Sequence, residues 1–143
     1  MRAATFVSIL VALMFAAAAS AAVSPHAKAR SLLLKCENAF SALYVGPLEA
    51  NTPQVPIANR ASQRVYDICS ATGPMLDLWG KHQHDKAIYD AYQAYMDLAF
   101  GSGDYMTYCG NVAFDQTGVG ILHRAEREIA QGRVLAKKAV GEL

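Results

Sequence analysis

The chain has 143 residues and a formal net charge of +1, with 13 Lys and Arg against 12 Asp and Glu. This length suits one domain and is too short for two independent domains of ordinary size. Nucleic-acid and anionic-membrane binding require clustered Lys and Arg, so the even balance argues against nucleic acid as a partner.

The first 21 residues have the pattern of a secretory signal peptide. Arg2 supplies a short positive start, and residues 3–19 form an unbroken run of apolar and small side chains. Ala19-Ser20-Ala21 then offers a small-x-small cleavage site. We therefore predict a signal peptide over residues 1–21, a mature chain without a stable membrane anchor, and a secreted or periplasmic location.

The mature chain begins with a predicted helix. Ser24-Pro25 is typical of an N-cap followed by proline at the first helical position, and apolar residues recur with helical spacing to about Val45. Gly46-Pro47 ends this helix. Residues 47–58 contain three prolines, Pro47, Pro53 and Pro56, and no periodic pattern, which predicts an extended crossover connection.

Two further helical segments precede the middle of the chain. Asn59 is expected to cap a second helix over Arg60–Thr72. A short helical turn is expected through Met75–Trp79, ended by Gly80.

Asp85–Phe100 is predicted to be the central helix. Its apolar side chains cover most of the circumference, which favours a helix packed on several sides. Its polar side chains lie on one narrow stripe: Lys86, Asp90, Gln93 and Asp97. Gly101-Ser102-Gly103 is expected to end this helix and act as a hinge.

The rest of the chain also has a helical pattern. Asp104 is expected to cap a segment that ends near Ala113, Gly118 and Gly120 mark a break, and Ile121–Val140 forms the last helix. No stretch alternates with a period of two residues. The fold class is therefore predicted as all-α: one small helical bundle over residues 22–143, with four main helices and the last one broken near Gly118 and Gly120.

Three cysteines follow the predicted cleavage site. An exported protein meets an oxidising compartment, so we expect one disulfide and one remaining thiol. If the first two helices are antiparallel, Cys36 and Cys69 both lie about 14–15 Å from their connection at a rise of ~1.5 Å per residue. We predict a Cys36–Cys69 disulfide with Cys109 free and buried, and Cys69–Cys109 is the second choice.

The strongest metal candidate is the sequence Lys81–Asp85, in which His82, His84 and Asp85 are the weak candidate ligands. A polar loop between helices explains the same residues, so we assign no metal. Covalent haem is excluded because CxxCH is absent, and the methionines suit an ordinary core. We expect no cofactor.

Catalysis is also poorly supported. Cys109 with His123 would need a solvent-accessible thiolate beside an oriented imidazole. Cys109 instead projects from an apolar helix face, and His123 from a charged one. Since no ordered set of catalytic groups is visible, we predict that the protein is not an enzyme.

Aromatic residues are the candidate binding residues: Trp79, Tyr89, Tyr92, Tyr105 and Tyr108. A tyrosine ring that is buried still needs a partner for its hydroxyl, so such residues collect in cores, at interfaces and in ligand pockets. The core interpretation is favoured, and the binding interpretation stays open.

We therefore hypothesise an exported protein that binds another exported protein, in an inhibitor, immunity or chaperone-like role. One alternative is a carrier that holds a small apolar or aromatic ligand among the aromatic residues. The other is an enzyme of unknown class. An apolar patch on the folded surface would favour the partner, and an enclosed aromatic cavity would favour the carrier.

Overall fold

The computed structural model describes residues 22–114 and 117–143, and the predicted signal peptide lies outside these residues. All regular structure in the described ranges is helical, which confirms the all-α bundle with four main helices. The helices are α1 (Pro25–Ala39), α2 (Gln54–Cys69), α3 (Gly73–Lys81), α4 (Lys86–Ala113) and α5 (Val119–Glu142). A 3₁₀ turn over Phe40–Ala42 follows α1, and α3 is a short fifth helix.

Helix α4 lies at the centre of the bundle, because each of the other four helices packs against it. Its buried positions recur every three or four residues and include adjacent ones, such as Leu98 and Ala99, so its buried face is wider than the stripe of a surface helix. They include Ile88, Ala91, Tyr95, Leu98 and Tyr105.

The predicted hinge at Gly101-Ser102-Gly103 was wrong, because α4 continues without interruption to Ala113. Gly101 serves a close approach between helices: a Cβ at this position would lie 2.6 Å from the Ile129 Cγ1 atom of α5. Asp104 was likewise wrongly predicted as a cap, because it lies inside α4 and pairs with Arg124 of α5. The chain does break near Gly118, but the break separates α4 from α5 rather than dividing the last helix, and Gly120 lies inside α5.

Helix α1 is shorter than predicted: it ends at Ala39 rather than near Val45. The 3₁₀ turn keeps the ring of Phe40 buried, and the chain becomes extended at Leu43. From there the connection to α2 runs to Pro53, and within it Asn51 adopts the left-handed conformation with φ 62°, which asparagine tolerates better than most residues.

Helix α2 begins five residues before the predicted cap at Asn59, since its first helical residue is Gln54. Pro53 occupies the N-cap and Pro56 the first turn. The amide groups of a first turn have no partner within the helix, so proline costs no hydrogen bond there. Prolines that predicted an extended connection therefore belong in part to a helix start.

The Cys36–Cys69 disulfide is confirmed, with a Cα–Cα distance of 5.0 Å, and Cys109 is free and buried. Ala42 and Ala61 line the same surface depression, and the disulfide joins Cys36 to Cys69. Positions earlier in α1 thus face positions later in α2, which means that the two helices are antiparallel. The predicted disulfide rested on equal distances of Cys36 and Cys69 from the connection between the helices, and that comparison is valid only for antiparallel helices.

The outward face of α4 is wider than predicted. Tyr89 is 43% exposed and Phe100 is 60% exposed, although both were assigned to the packed face. Gln93 and Asp97, assigned to the wet stripe, are partly buried. The predicted polar stripe lies beside α5, since Asp90 pairs with Lys138 of that helix, so the buried face of α4 differs from the one predicted.

Candidate functional site

Three of the candidate aromatic residues form one group where α3 meets the start of α4. The rings of Trp79 and Tyr92 are stacked, with centroids 4.7 Å apart. Tyr89 lies beside them, with its ring 6.5 Å from that of Trp79. Trp79 and Tyr92 are partly buried against the core, so this group joins α3 to α4.

Tyr105 and Tyr108 form a second group, with ring centroids 5.8 Å apart. Both are buried, and both bond to the connection between α1 and α2. The Tyr105 hydroxyl donates to the carbonyl oxygen of Gly46 at 3.3 Å, and the Tyr108 hydroxyl accepts from the amide of Leu48 at 2.8 Å. Burial raises the pKa of the Tyr105 hydroxyl. These two tyrosines anchor the connection to the core.

The structure therefore divides the candidate aromatic residues between two places. Tyr92 and Tyr105 are on the same helix, separated by about 20 Å at a rise of ~1.5 Å per residue. The carrier hypothesis required Trp79, Tyr89, Tyr92 and Tyr105 around one ligand, and this geometry does not bring them together.

Asp85 forms hydrogen bonds that stabilise the fold, and it does not form a metal site with His82 and His84. Its carboxylate caps α4 by accepting from the amides of Ala87 and Ile88 at 3.0 and 3.2 Å. It also bonds to His26 Nε2 at 2.7 Å, and this hydrogen bond lowers the pKa of the Asp85 carboxyl. Within the described ranges, no group of three metal-ligating side chains is assembled.

Cys109 and His123 lie in opposite environments. Cys109 is fully buried, and desolvation raises the pKa of its thiol. His123 is exposed on α5, with Nδ1 3.4 Å from the Glu126 Oε2 atom. A raised pKa and loss of access both disfavour the thiolate that nucleophilic chemistry needs.

Sequence reasoning missed one surface feature, an apolar groove between α2 and the chain that follows α1. It consists of two adjoining depressions with volumes of about 470 and 380 Å³ that share Ala42, Leu43 and Ala61. The larger depression is also lined by Tyr44, Pro47, Leu48, Gln54, Ile57 and Ala58, and the smaller one by Asn38, Ala39, Arg64, Val65 and Ile68.

Two large apolar side chains on the walls of this groove are exposed to solvent. Tyr44 is 68% exposed and Ile57 is 60% exposed; both line the larger depression, Tyr44 from the segment after α1 and Ile57 from α2. Small side chains at Ala58 and Ala61 leave the space between them open. Exposed apolar residues that cluster in one groove are typical of interaction sites, whereas scattered ones are not.

The sequence does contain a pattern that indicates the α2 wall of the groove. Ile57, Ala61, Arg64 and Ile68 recur at intervals of three and four residues, which is the spacing of one helix face. The prolines at the start of α2 removed Ile57 from the predicted helix. The opposite wall of the groove is the irregular segment after α1, and no periodic pattern in the sequence indicates its position.

Comparison of the chain with protein-family models, curated proteins and solved structures found no match. Among the described helices, none is both long and apolar enough to cross a membrane. The groove, with its exposed walls and its apolar lining, is the feature of the described surface that best fits a binding role.

Proposed function

We propose that this is an exported, non-enzymatic protein that binds another exported protein through the groove between α2 and the segment after α1. The observation that carries the proposal is the open apolar groove with exposed Tyr44 and Ile57 on its two walls. Burial of such surface by a partner is the main favourable term in protein association. An inhibitor, immunity or chaperone-like role would each use a surface of this kind.

Two observations support the exported location. The first residues carry the charged start, apolar run and small-residue site of a secretory signal. The Cys36–Cys69 disulfide joins the two helices that form the groove region, and disulfides persist chiefly in oxidising compartments. The proposal is therefore a secreted or periplasmic protein with a cross-linked bundle.

A small-ligand carrier is the second candidate, because one depression of the groove has a volume of about 470 Å³. This lies within the range of about 300–1,000 Å³ that small-molecule sites occupy. Such sites enclose most of their ligand, whereas Tyr44 and Ile57 on the walls of this depression are more than half exposed. Partner binding therefore accounts better for the exposed walls.

The direct test compares two charge insertions at exposed aliphatic positions. Ile57→Glu places a carboxylate in the groove, and Leu76→Glu places one on α3, at a side chain that is 49% exposed and outside the groove. Each variant is purified from the exported fraction of its own host and examined by native mass spectrometry. We expect a protein complex with the wild type and with Leu76→Glu, and its loss with Ile57→Glu.

A complex that both variants retain equally would contradict the groove as the partner site. A bound small molecule in the wild type that Ile57→Glu lacks would favour the carrier. Circular dichroism of both variants is the folding control, because both positions are exposed and substitutions there should leave the helices intact.

A further inference from the structure

We infer that the partner segment seated in the groove is an amphipathic helix with carboxylates beside its apolar face. This deepens the proposed protein-binding role and depends on it. Three properties of the groove point to this occupant: its length, the secondary structure of its walls and the charge along one edge.

The length of the groove matches a short helix. Its α2 wall runs from Gln54 to Ile68, which is about 21 Å at a rise of ~1.5 Å per residue. A partner helix of about four turns has the same length. Ala58 and Ala61 present small side chains along this wall, so the axis of a second helix can approach within the usual packing distance of about 8–10 Å.

The walls also exclude the other common modes of peptide binding. An extended peptide adds to an exposed sheet edge, and the described ranges contain no strand. Polyproline peptides bind grooves lined by several aromatic rings, whereas Tyr44 is the one aromatic side chain that lines this groove. A helix with apolar side chains spaced by three and four residues can bury that apolar face against these walls.

The charge along α2 indicates what should flank the apolar face of that helix. Arg64 lines the groove, and Arg60 lies one turn earlier on the exposed side of α2. Neither arginine forms an ion pair with a carboxylate of the described residues. The neighbouring Asp67 carboxylate accepts instead from Gln63 Nε2 at 2.8 Å. No Asp or Glu lines either depression.

An acidic partner helix would therefore meet two guanidinium groups that the fold leaves without a carboxylate. Hydrogen bonds between guanidinium and carboxylate are stronger than neutral ones and are often bidentate. A basic helix would meet like charge at the same edge, which costs affinity. The groove thus selects both the apolar spacing and the sign of the charge.

The test is a selection from a displayed library of random peptides long enough for four helical turns, with the disulfide-bonded protein as the target. The wild type should enrich sequences with apolar residues spaced by three and four, flanked by Asp and Glu. Arg64→Glu should enrich Lys and Arg at the same positions. Peptides selected by the wild type should bind Arg64→Glu about tenfold more weakly or worse.

Leu76→Glu should select the same sequences as the wild type, and Ile57→Glu should enrich none of them. The inference is overturned if the wild type and Arg64→Glu enrich the same charge, or if the enriched sequences are proline-rich and lack helical spacing. It is also overturned if no peptides are enriched while phosphatidylglycerol vesicles bind the wild type and not Ile57→Glu. If the wild type and Arg64→Glu enrich the same charge, or if the enriched sequences are proline-rich, loss of the native complex in Ile57→Glu would still support the proposed function.

Discussion

Glu128, on α5, has a buried carboxylate oxygen for which the described residues provide no hydrogen-bond partner. Desolvation raises the pKa of this carboxyl, and the nearby negative charges of Asp104 and Asp97 raise it further. Arg124 and Arg127 act in the opposite direction without cancelling the effect. The folded protein therefore holds a proton at Glu128 more tightly than the unfolded chain does.

This raised pKa gives a pH dependence of stability with a defined sign. The folded-state pKa lies above the ordinary value of 4.5, so the free energy of unfolding falls as the pH rises from that value through the folded-state pKa. Glu128→Gln removes the negative charge that partial burial and the neighbouring carboxylates disfavour, so it should stabilise the protein at pH 7, by at most about 1 kcal/mol for a partly buried group. The gain should disappear near pH 4.

Urea titration of the wild type and Glu128→Gln at both pH values measures this difference. Glu126→Gln is the matched control: it lies half a turn earlier on α5, where its carboxylate faces the exposed His123. It should change the stability by less than about 0.5 kcal/mol, as exposed substitutions usually do. A loss of stability in Glu128→Gln at pH 7 would show that the charged form is favoured in the fold.

At the scale of the elements, the contact between α4 and α5 depends on two glycines. A Cβ at Gly101 would lie 2.6 Å from Ile129 Cγ1 and 3.0 Å from the Ile129 backbone nitrogen. A Cβ at Gly132 would lie 2.9 Å from Leu98 Cγ and 3.0 Å from the Leu98 backbone nitrogen. Backbone atoms cannot move aside as a side chain can, so the helices would have to separate.

Gly101→Ala should therefore destabilise the bundle by about 1–3 kcal/mol, the range for overpacked cores. Gly110→Ala, in the same helix, is the control, because apart from the neighbouring backbone of α4 no described heavy atom lies within 4 Å of the added Cβ. It should stabilise α4 by about 0.5–1 kcal/mol through the better helix propensity of alanine. Thermal unfolding of both variants measures these opposite effects, and equal shifts would refute the close approach.

The disulfide between α1 and α2 closes a loop with a sequence separation of 33 residues. In the chain-entropy account, a loop of this size corresponds to about 3–4 kcal/mol of stability. A variant with Cys36→Ala and Cys69→Ala should lose roughly this amount in urea titration. Adding a reductant should destabilise the wild type and leave the double variant unchanged. Peptide mapping without reductant should find no cross-linked peptide that contains Cys109.

At the scale of the whole molecule, the fold class was predictable because apolar residues recur with helical spacing through most of the mature chain. The disulfide was predictable because Cys36 and Cys69 lie at matching depths on antiparallel helices. The continuity of α4 could not be predicted from the sequence. Glycine at position 101 normally suggests a helix end, and its use for contact with Ile129 depends on α5, which the local sequence does not show.

The groove was not predictable for a related reason. Pro53 and Pro56 resemble a connection, although they occupy helix-start positions that tolerate proline. Two tyrosines of α4 hold the opposite wall in place: the Tyr105 hydroxyl donates to the Gly46 carbonyl oxygen, and the Tyr108 hydroxyl accepts from the Leu48 amide. Such bonds between distant residues leave no periodic trace, so the sequence favoured a core role for the tyrosines without showing that they anchor this wall.

Photo-crosslinking from within the groove tests the central claim most directly. Benzoylphenylalanine replaces Ile57, which is 60% exposed in the groove, or Gln131, which is exposed on α5 and outside it. Each protein is expressed in its own host, irradiated and analysed by mass spectrometry of the exported fraction. We predict a discrete adduct with one exported protein from position 57 and none from position 131. No adduct from position 57, or the same adduct from both positions, would contradict the groove as a partner site.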